Sequence, residues 1–267
     1  MQYWQNIYSH FDPVAFNLGP VAVHWYGIMY ALALISAIVV AKWFIKHDKL
    51  PISNDLFDSY IWWAEIGVIL GARLGYILFY DPNTMYYITQ PWQIFNPYVN
   101  GEYTGISGMS YHGALFGFII ASLLFCRKNK VSFWFLADIS VLGISAAYVF
   151  GRLGNFFNQE LVGRVTDVSW GIYVDKVLRH PSQIYEAILE GLVVFVILVY
   201  FRKRKSFDGQ LALMYGIFYS IARIVAEFFR QPDIQIGFLY GQWLTMGILQ
   251  SAVVLSICIL MFINLKK

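Results

Sequence analysis

Arg152, Asn155, Asn158 and Glu160 crowd into one short segment, Gly151-Arg-Leu-Gly-Asn-Phe-Phe-Asn-Gln-Glu160, which continues Leu161-Val-Gly163. Further along, Arg223, Glu227 and Arg230 follow at spacings of four and three. A guanidinium fork matches the oxygens of a phosphate bidentately, so paired arginines with amide and carboxylate neighbours suit the handling of a phosphate ester. Arg223 and Glu227 can also neutralise one another on one helix face, with Arg230 on the same face. As a whole the set carries more arginine than nearby carboxylate, which points to an absent anion. His112 adds an imidazole that titrates near neutrality and is a candidate base. Tyr26 adds a phenol that can hydrogen-bond a phosphate or ester oxygen.

The elements that position these side chains follow from composition. Of 267 residues 58% are hydrophobic and 13% charged, with a net charge of +3. A soluble domain is about 45–50% apolar and about 25% charged. This balance excludes an ordinary soluble globule, a disordered chain and a nucleic-acid binder, and leaves a polytopic membrane protein. Cys126 and Cys258 lie far apart in or beside apolar runs, so they read as small buried hydrophobes rather than a disulfide. The first twenty residues hold no Lys or Arg and no continuous apolar core, so no cleaved signal peptide is expected.

Runs long enough to cross the hydrocarbon layer fall at about Val21–Phe44, Leu56–Tyr80, Ser110–Cys126, Phe133–Phe150, Ile184–Phe201, Gln210–Phe229 and Gln242–Asn264. The expectation is an all-α protein with seven transmembrane helices, forming one integral membrane domain over residues 1–267. Twelve of the nineteen Lys and Arg sit in four clusters, at 42–49, 127–130, 202–205 and 266–267. Two spans separate each successive pair of clusters, which puts all four on the cytoplasmic side, the N-terminus outside and the C-terminus inside. Two long outer connections remain. Residues 81–109 form an aromatic arm suited to the headgroup layer, and 156–181 a small external cap. His24, Tyr26, Arg73, His112, Arg152, Glu186, Glu190 and Arg223 then converge on the outer level, with Glu65 deeper. An isolated charge at mid-membrane costs about 2.5–3.5 kcal/mol, so such a group demands partners or a function.

Other motifs are weaker. Gly105-Ile-Ser-Gly108 matches the string of rhomboid-like proteases and would make Ser107 a nucleophile, yet no second histidine-bearing, glycine-rich span supplies its base. Neither His-Glu-x-x-His nor Cys-x-x-Cys occurs, and no phosphate-cradling loop, so no metal or cofactor is expected. Arg-Leu-Gly recurs at 73–75 and 152–154, and Gly71, Gly75, Gly151 and Gly154 suit close helix packing. An alternative function is a secondary transporter or flippase for an anionic lipid or metabolite, with Arg and Glu along a pathway. Against it, Leu32–Val40 and Leu192–Tyr200 are almost purely apolar. A retinal-binding receptor is excluded because the last span has no Lys before Lys266.

Residues 151–163 satisfy every fixed position of Gly-Arg-x-Gly-Asn-Phe-x-Asn-x-Glu-x-x-Gly, and here the chain resembles the bacterial prolipoprotein diacylglyceryl transferase family. Further matches run along nearly the whole chain: His24-Trp-Tyr-Gly27, Met109-Ser-Tyr-His-Gly113, His180-Pro-Ser-Gln-Ile-Tyr-Glu186, and Arg223 to Asp233. Ala114 replaces the second glycine after His-Gly, and Gln231 replaces a glutamate before Pro-Asp. The resemblance implies transfer of the diacylglyceryl group of phosphatidylglycerol to the lipobox cysteine of a prolipoprotein signal peptide. Glycerol phosphate is released, at the outer face of the bacterial inner membrane. It implies catalytic roles for His112, Arg152 and Arg223, and substrate binding by Tyr26, Asn155, Asn158, Glu160, Gly163, Glu227 and Arg230.

Overall fold

A chain that must satisfy its backbone polar groups without water can cross a bilayer only as helices or a closed barrel. Helices take up 68% of this structure, a computed structural model that describes residues 2–19, 21–99, 102–103, 108–232 and 237–266. The chain opens with α1 (Gln2–Gln5) and a hairpin of β1 (Val14–Leu18) and β2 (Val21–His24), then enters α2 (Trp25–His47). Next come α3 (Asn54–Phe79), the short α4 (Thr84–Thr89), a hairpin of β3 (Tyr98–Val99) and β4 (Glu102–Tyr103), α5 (Tyr111–Asn129) and α6 (Phe133–Phe157). A third hairpin, β5 (Ile172–Val174) with β6 (Val177–Arg179), precedes a rod built from α7 (Ser182–Glu186), a π-helical stretch Ala187–Val193 and α8 (Val194–Phe201). α9 (Gln210–Glu227) and α10 (Met246–Leu265) complete the order.

Five helices are long and apolar enough to cross a membrane: α2, α3, α6, the 182–201 rod and α10. α5 and α9 have 19 and 18 residues and stand at the positions of the other two apolar runs. The three hairpins correct a purely helical reading. Val21–His24 is strand rather than helix, and the Trp25 amide donates to the Pro13 carbonyl at 3.0 Å, so α2 starts one turn later than hydropathy alone suggests. α6 runs on through Phe157, because Arg152 and Asn155 find polar partners and the helix has no reason to stop at Phe150. Ser107 lies outside the described residues.

The chain divides into two compact units, residues 51–133 and the remainder. In the smaller unit α3 and α5 run antiparallel with glycines at the contact. A Cβ on Gly71 would strike the Gly113 carbonyl, and one on Gly117 the Gly67 carbonyl, so only glycine allows this approach. Beside the seam a groove of about 1020 Å³ is lined by Leu70, Leu74, Phe116 and Ile120, with His112 among its residues. Arg73 donates from Nε to the Ile94 carbonyl at 2.6 Å and from Nη1 to the Gly108 carbonyl at 3.2 Å, and its guanidinium lies over the Tyr87 ring. Arg73 therefore anchors the 81–109 connection.

In the larger unit Phe44, Val141, Leu142, Val194, Leu198, Leu211 and Met214 form a core shared by α2, α6, α8 and α9. Gly143 lets α6 approach the Ala37 carbonyl, and Gly191 lets the π-helical stretch approach Val149. Asp138 of α6 accepts from the amides of Gly209 and Ala212 at 3.0 and 2.9 Å and from Lys205 at 3.0 Å, which fixes the start of α9 against α6. Arg202 binds Asp48 at 2.9 Å near the same end.

Candidate active site

At the opposite end of that unit the close of α6, the start of the 182–201 rod, the close of α9 and the start of α10 bring charged side chains together. Arg152 donates from Nε to the Tyr148 hydroxyl at 2.8 Å, one turn back on α6, and from Nη1 to Asn155 Oδ1 at 3.3 Å. Its Nη1 also lies 3.0 Å from Glu186 Oε2. Arg223, from α9, lies 3.1 Å from Glu186 Oε1 and 3.4 Å from Glu190 Oε1, and donates to Glu227 one turn on. Glu186 thus stands between two guanidiniums carried by different helices. Tyr148 donates to Glu190 and sits 3.3 Å from the Tyr219 hydroxyl. Thr245, which caps α10, donates to Glu227 Oε2 at 2.6 Å, and a side chain on Gly247 would collide with that carboxylate.

The carboxylates are fully buried at Glu186 and Glu190, whereas Arg152 and Arg223 keep 15% and 10% of their side chains exposed. The arginines therefore keep some exposed surface where the two acids keep none. Both oxygens of Glu186 lie within ion-pair distance of an arginine, yet neither receives a directed hydrogen bond. The surplus of arginine read from the sequence is not found here. Arg152, Arg223 and Arg230 meet Glu186, Glu190 and Glu227, because the rod turns both of its glutamates inward. Binding of an anion must then rest on oriented N–H donors rather than on net positive charge.

A second layer supports Arg152. Asn155 donates from Nδ2 to Glu160 Oε1 at 2.7 Å, and Gln183 donates to the Glu160 carbonyl and, at 3.3 Å, to the Tyr8 hydroxyl. Gln159 and Leu161 adopt left-handed backbone angles, with φ of 57° and 54°, and the turn they make sends Glu160 back under α6. Tyr8, Phe11, Trp25, Phe156 and Phe157 pack ring to ring around this turn. Burial pushes the Tyr8 phenol well above its ordinary pKa, with Gln183 opposing. Tyr26 lies within electrostatic reach of Glu160 and Arg152, and a Cβ on Gly154 would sit 3.5 Å from its ring.

The structure thus gathers Tyr26, Arg152, Asn155, Glu160, Arg223, Glu227 and Arg230 in the larger unit. Asn158 follows α6 directly and is half-buried. Gly163 donates to the His180 carbonyl at 3.2 Å and bridges to Arg230; a side chain there would strike His180, so Gly163 permits a close crossing of chains. His112 belongs to the smaller unit, exposed in the first turn of α5 with its ring edge-on to Tyr111. Arg164 donates to the carbonyls of Glu227 and Arg230, both at 2.9 Å, and so closes the end of α9.

Tyr148, Tyr219 and Thr245 were not singled out by sequence, and Glu186 and Glu190 only as outer-level polar residues. Tyr148–Arg152 and Tyr219–Arg223 share the same four-residue spacing, a signal that would have found both tyrosines.

A family model described as prolipoprotein diacylglyceryl transferase matches residues 13–264. A protein of Aliarcobacter butzleri named phosphatidylglycerol–prolipoprotein diacylglyceryl transferase is 81% identical over 267 residues, covering 100% of this chain and 98% of its own. Proteins of the same name from Campylobacter jejuni and Wolinella succinogenes are 57% and 60% identical, over 100% and 99% of this chain and 98% and 97% of theirs.

Proposed function

The chain belongs to the prolipoprotein diacylglyceryl transferase family, and on that premise we propose that the Arg152–Arg223 cluster is where its chemistry is done. The protein is a transferase that moves the diacylglyceryl group of phosphatidylglycerol to a prolipoprotein. The observation that carries the site assignment is the convergence of Arg152 and Arg223, from different helices, on the fully buried Glu186, with both arginine side chains still partly exposed.

In the proposed reaction Arg152 and Arg223 hold the phosphate of the lipid. The thiolate of the lipobox cysteine attacks the glyceryl carbon, the carbon–oxygen bond breaks, and its electron pair leaves with the phosphate as glycerol phosphate. The thiol gives up its proton to a general base as it attacks, and a thioether remains on the prolipoprotein. Charge gathers on the leaving phosphate as that bond breaks. Preorganised guanidinium donors stabilise this charge more in the transition state than in the bound lipid, which is what accelerates the step. Asn155 and Glu160 orient Arg152, Glu227 orients Arg223, and Tyr26, Asn158, Gly163 and Arg230 border the headgroup.

The single family match runs through both units, which supports reading residues 1–267 as one integral membrane domain. We place it in the bacterial inner membrane with seven spans, the N-terminus and the active site on the periplasmic side and the C-terminus in the cytoplasm. The four basic clusters support that direction. The lipid substrate is anionic and, with the signal-peptide helix, arrives from within the bilayer.

The test is direct. Purified protein in detergent, given phosphatidylglycerol and a lipobox peptide, should add a diacylglyceryl mass to the cysteine and release glycerol phosphate. The increment should vanish when that cysteine is replaced by Ser. No increment with folded protein would overturn the reading and turn attention to lipid flux in liposomes. For His112, an unchanged rate and pH profile in His112→Gln removes it from proton transfer.

A further inference from the structure

The arginine pair is backed by charge that opposes the anion it is there to bind. Glu186 and Glu190 have no exposed surface and lie against Arg152 and Arg223, whose side chains stay partly exposed. With all six groups ionised, Arg152, Arg223 and Arg230 are balanced by Glu186, Glu190 and Glu227. The directed partners of the acids are unequal. Glu190 accepts from Tyr148, and Glu227 from Thr245 and Arg223, but neither oxygen of Glu186 is the target of a directed hydrogen bond. Its charge is thus balanced by the two guanidiniums alone, and it lies between the two groups an anion must touch.

The reaction changes the charge of that anion. A phosphodiester lipid carries one negative charge, whereas the phosphomonoester left behind carries about 1.5 to 2 near neutral pH. A site of neutral balance in a low-dielectric setting can bind the first through oriented donors. It resists the additional charge of the second. We propose that Glu186 and Glu190 are specificity-determining residues that set the charge accepted by the arginine pair. They admit a singly charged phosphodiester, weaken the hold on the doubly charged phosphomonoester product so that it leaves, and disfavour phosphomonoester lipids as substrates. Neither carboxylate touches the substrate; each acts through the guanidinium beside it. This inference rests on the reading that Arg152 and Arg223 hold the phosphate.

The experiment measures direct binding of glycerol phosphate and of glycerophosphoglycerol, a soluble phosphodiester, to the purified full-length protein and to Glu186→Gln, Glu190→Gln and Arg152→Gln. Glu186→Gln should bind glycerol phosphate about tenfold tighter and glycerophosphoglycerol within about threefold of the unmodified protein. Its turnover and its KM for phosphatidylglycerol should fall together, leaving kcat/KM nearly constant, the signature of slowed product release. Glu190→Gln should move the same way by less, since Tyr148 already engages that carboxyl. A disordered or merely looser site would weaken both ligands together, and that result, or unchanged glycerol phosphate affinity, overturns the inference. Should both glutamine variants fail to fold, the unmodified protein decides: the diester must bind about tenfold tighter than the monoester, and equal binding overturns the proposal. Arg152→Gln separates the two readings. If it binds both ligands as the unmodified protein does, the phosphate assignment fails; if it loses them while Glu186→Gln shows no tightening, only the charge-setting role fails.

Discussion

α6 and α9 carry a buried charge cluster at each end, and the two clusters are built on opposite rules. Near the start of α9 the carboxylate of Asp138 is filled. Two backbone amides and the Lys205 ammonium converge on it, and a helix N-terminus receives the negative charge it favours. Burial works against that ammonium, but Asp208 and Asp138 outweigh it and raise the Lys205 pKa. At the far end the acids meet other ionisable side chains, Glu186 takes no directed hydrogen bond, and the arginines hold part of their surface open. Charge filled by helix-end amides and a lysine holds helices together. Charge balanced only by other side chains, with arginine surface left exposed, is available to a ligand.

Cutting the open cluster should give the largest effect on activity. Arg152→Ala or Arg223→Ala should lower transfer by at least about a thousandfold, about 4 kcal/mol of transition-state stabilisation, while the protein still inserts and extracts as a folded species. Without its arginine, one of the buried glutamates can take up a proton instead of forcing the fold apart. Wild-type rates in either folded variant would erase the distinction between the two ends.

The closed cluster should respond in the other currency. Asp138→Ala leaves two amides and an ammonium without their shared acceptor, and breaking a buried pair in this way costs about 3–5 kcal/mol. Thermal unfolding in detergent should show that loss, with kcat/KM of the remaining folded fraction unchanged. A drop in kcat/KM without a drop in stability would mean that Asp138 belongs to the chemistry.

The repeated Arg-Leu-Gly sharpens the same contrast. Both copies end a long helix and look alike in sequence, yet Arg73 spends its donors on the carbonyls of Ile94 and Gly108, whereas Arg152 spends them on Tyr148, Asn155 and the glutamates. Arg73→Ala should speed proteolysis within residues 81–99 and reduce transfer by less than about tenfold, because the anchors lost include the Ile94 and Gly108 carbonyls of the connection. A loss as deep as that of Arg152→Ala would place Arg73 in the phosphate site.

Those arginines also show how far the sequence reaches. Hydropathy located each long helix to within several residues, and polar side chains at helix exits marked Arg152, Asn155, Glu160, Arg223 and Glu227. It missed that Val21–His24 pairs as a strand, since β-branched apolar residues serve strand and span equally. The charge balance was misjudged because the i, i+4 spacing of Glu186 and Glu190 puts them on one helix face without telling which neighbouring helix that face meets. Tyr148 and Tyr219 read as ordinary membrane aromatics until their hydroxyls were seen to meet.

The smallest effect expected lies in the hairpin segment beside the open cluster, at His180. Its ring packs edge-on against Phe229, Nδ1 lies 3.2 Å from the Tyr185 hydroxyl, and its carbonyl receives the Gly163 amide. Burial lowers the imidazole pKa, opposed by the carboxylate of Asp167. A histidine depressed in the folded state stabilises it above the unfolded pKa of about 6.5, and that contribution fades as pH falls through the folded value, since the unfolded chain binds the proton first. Hydrogen-exchange protection across residues 163–181, corrected for the intrinsic slowing of amide exchange in acid, should therefore fall below the unfolded pKa of about 6.5, and His180→Gln should flatten that dependence without touching the Arg152 cluster's own contacts. If that corrected protection rose on acidification, the ring would be charged in the fold, and the apolar packing against Phe229 could not be what sets its proton affinity.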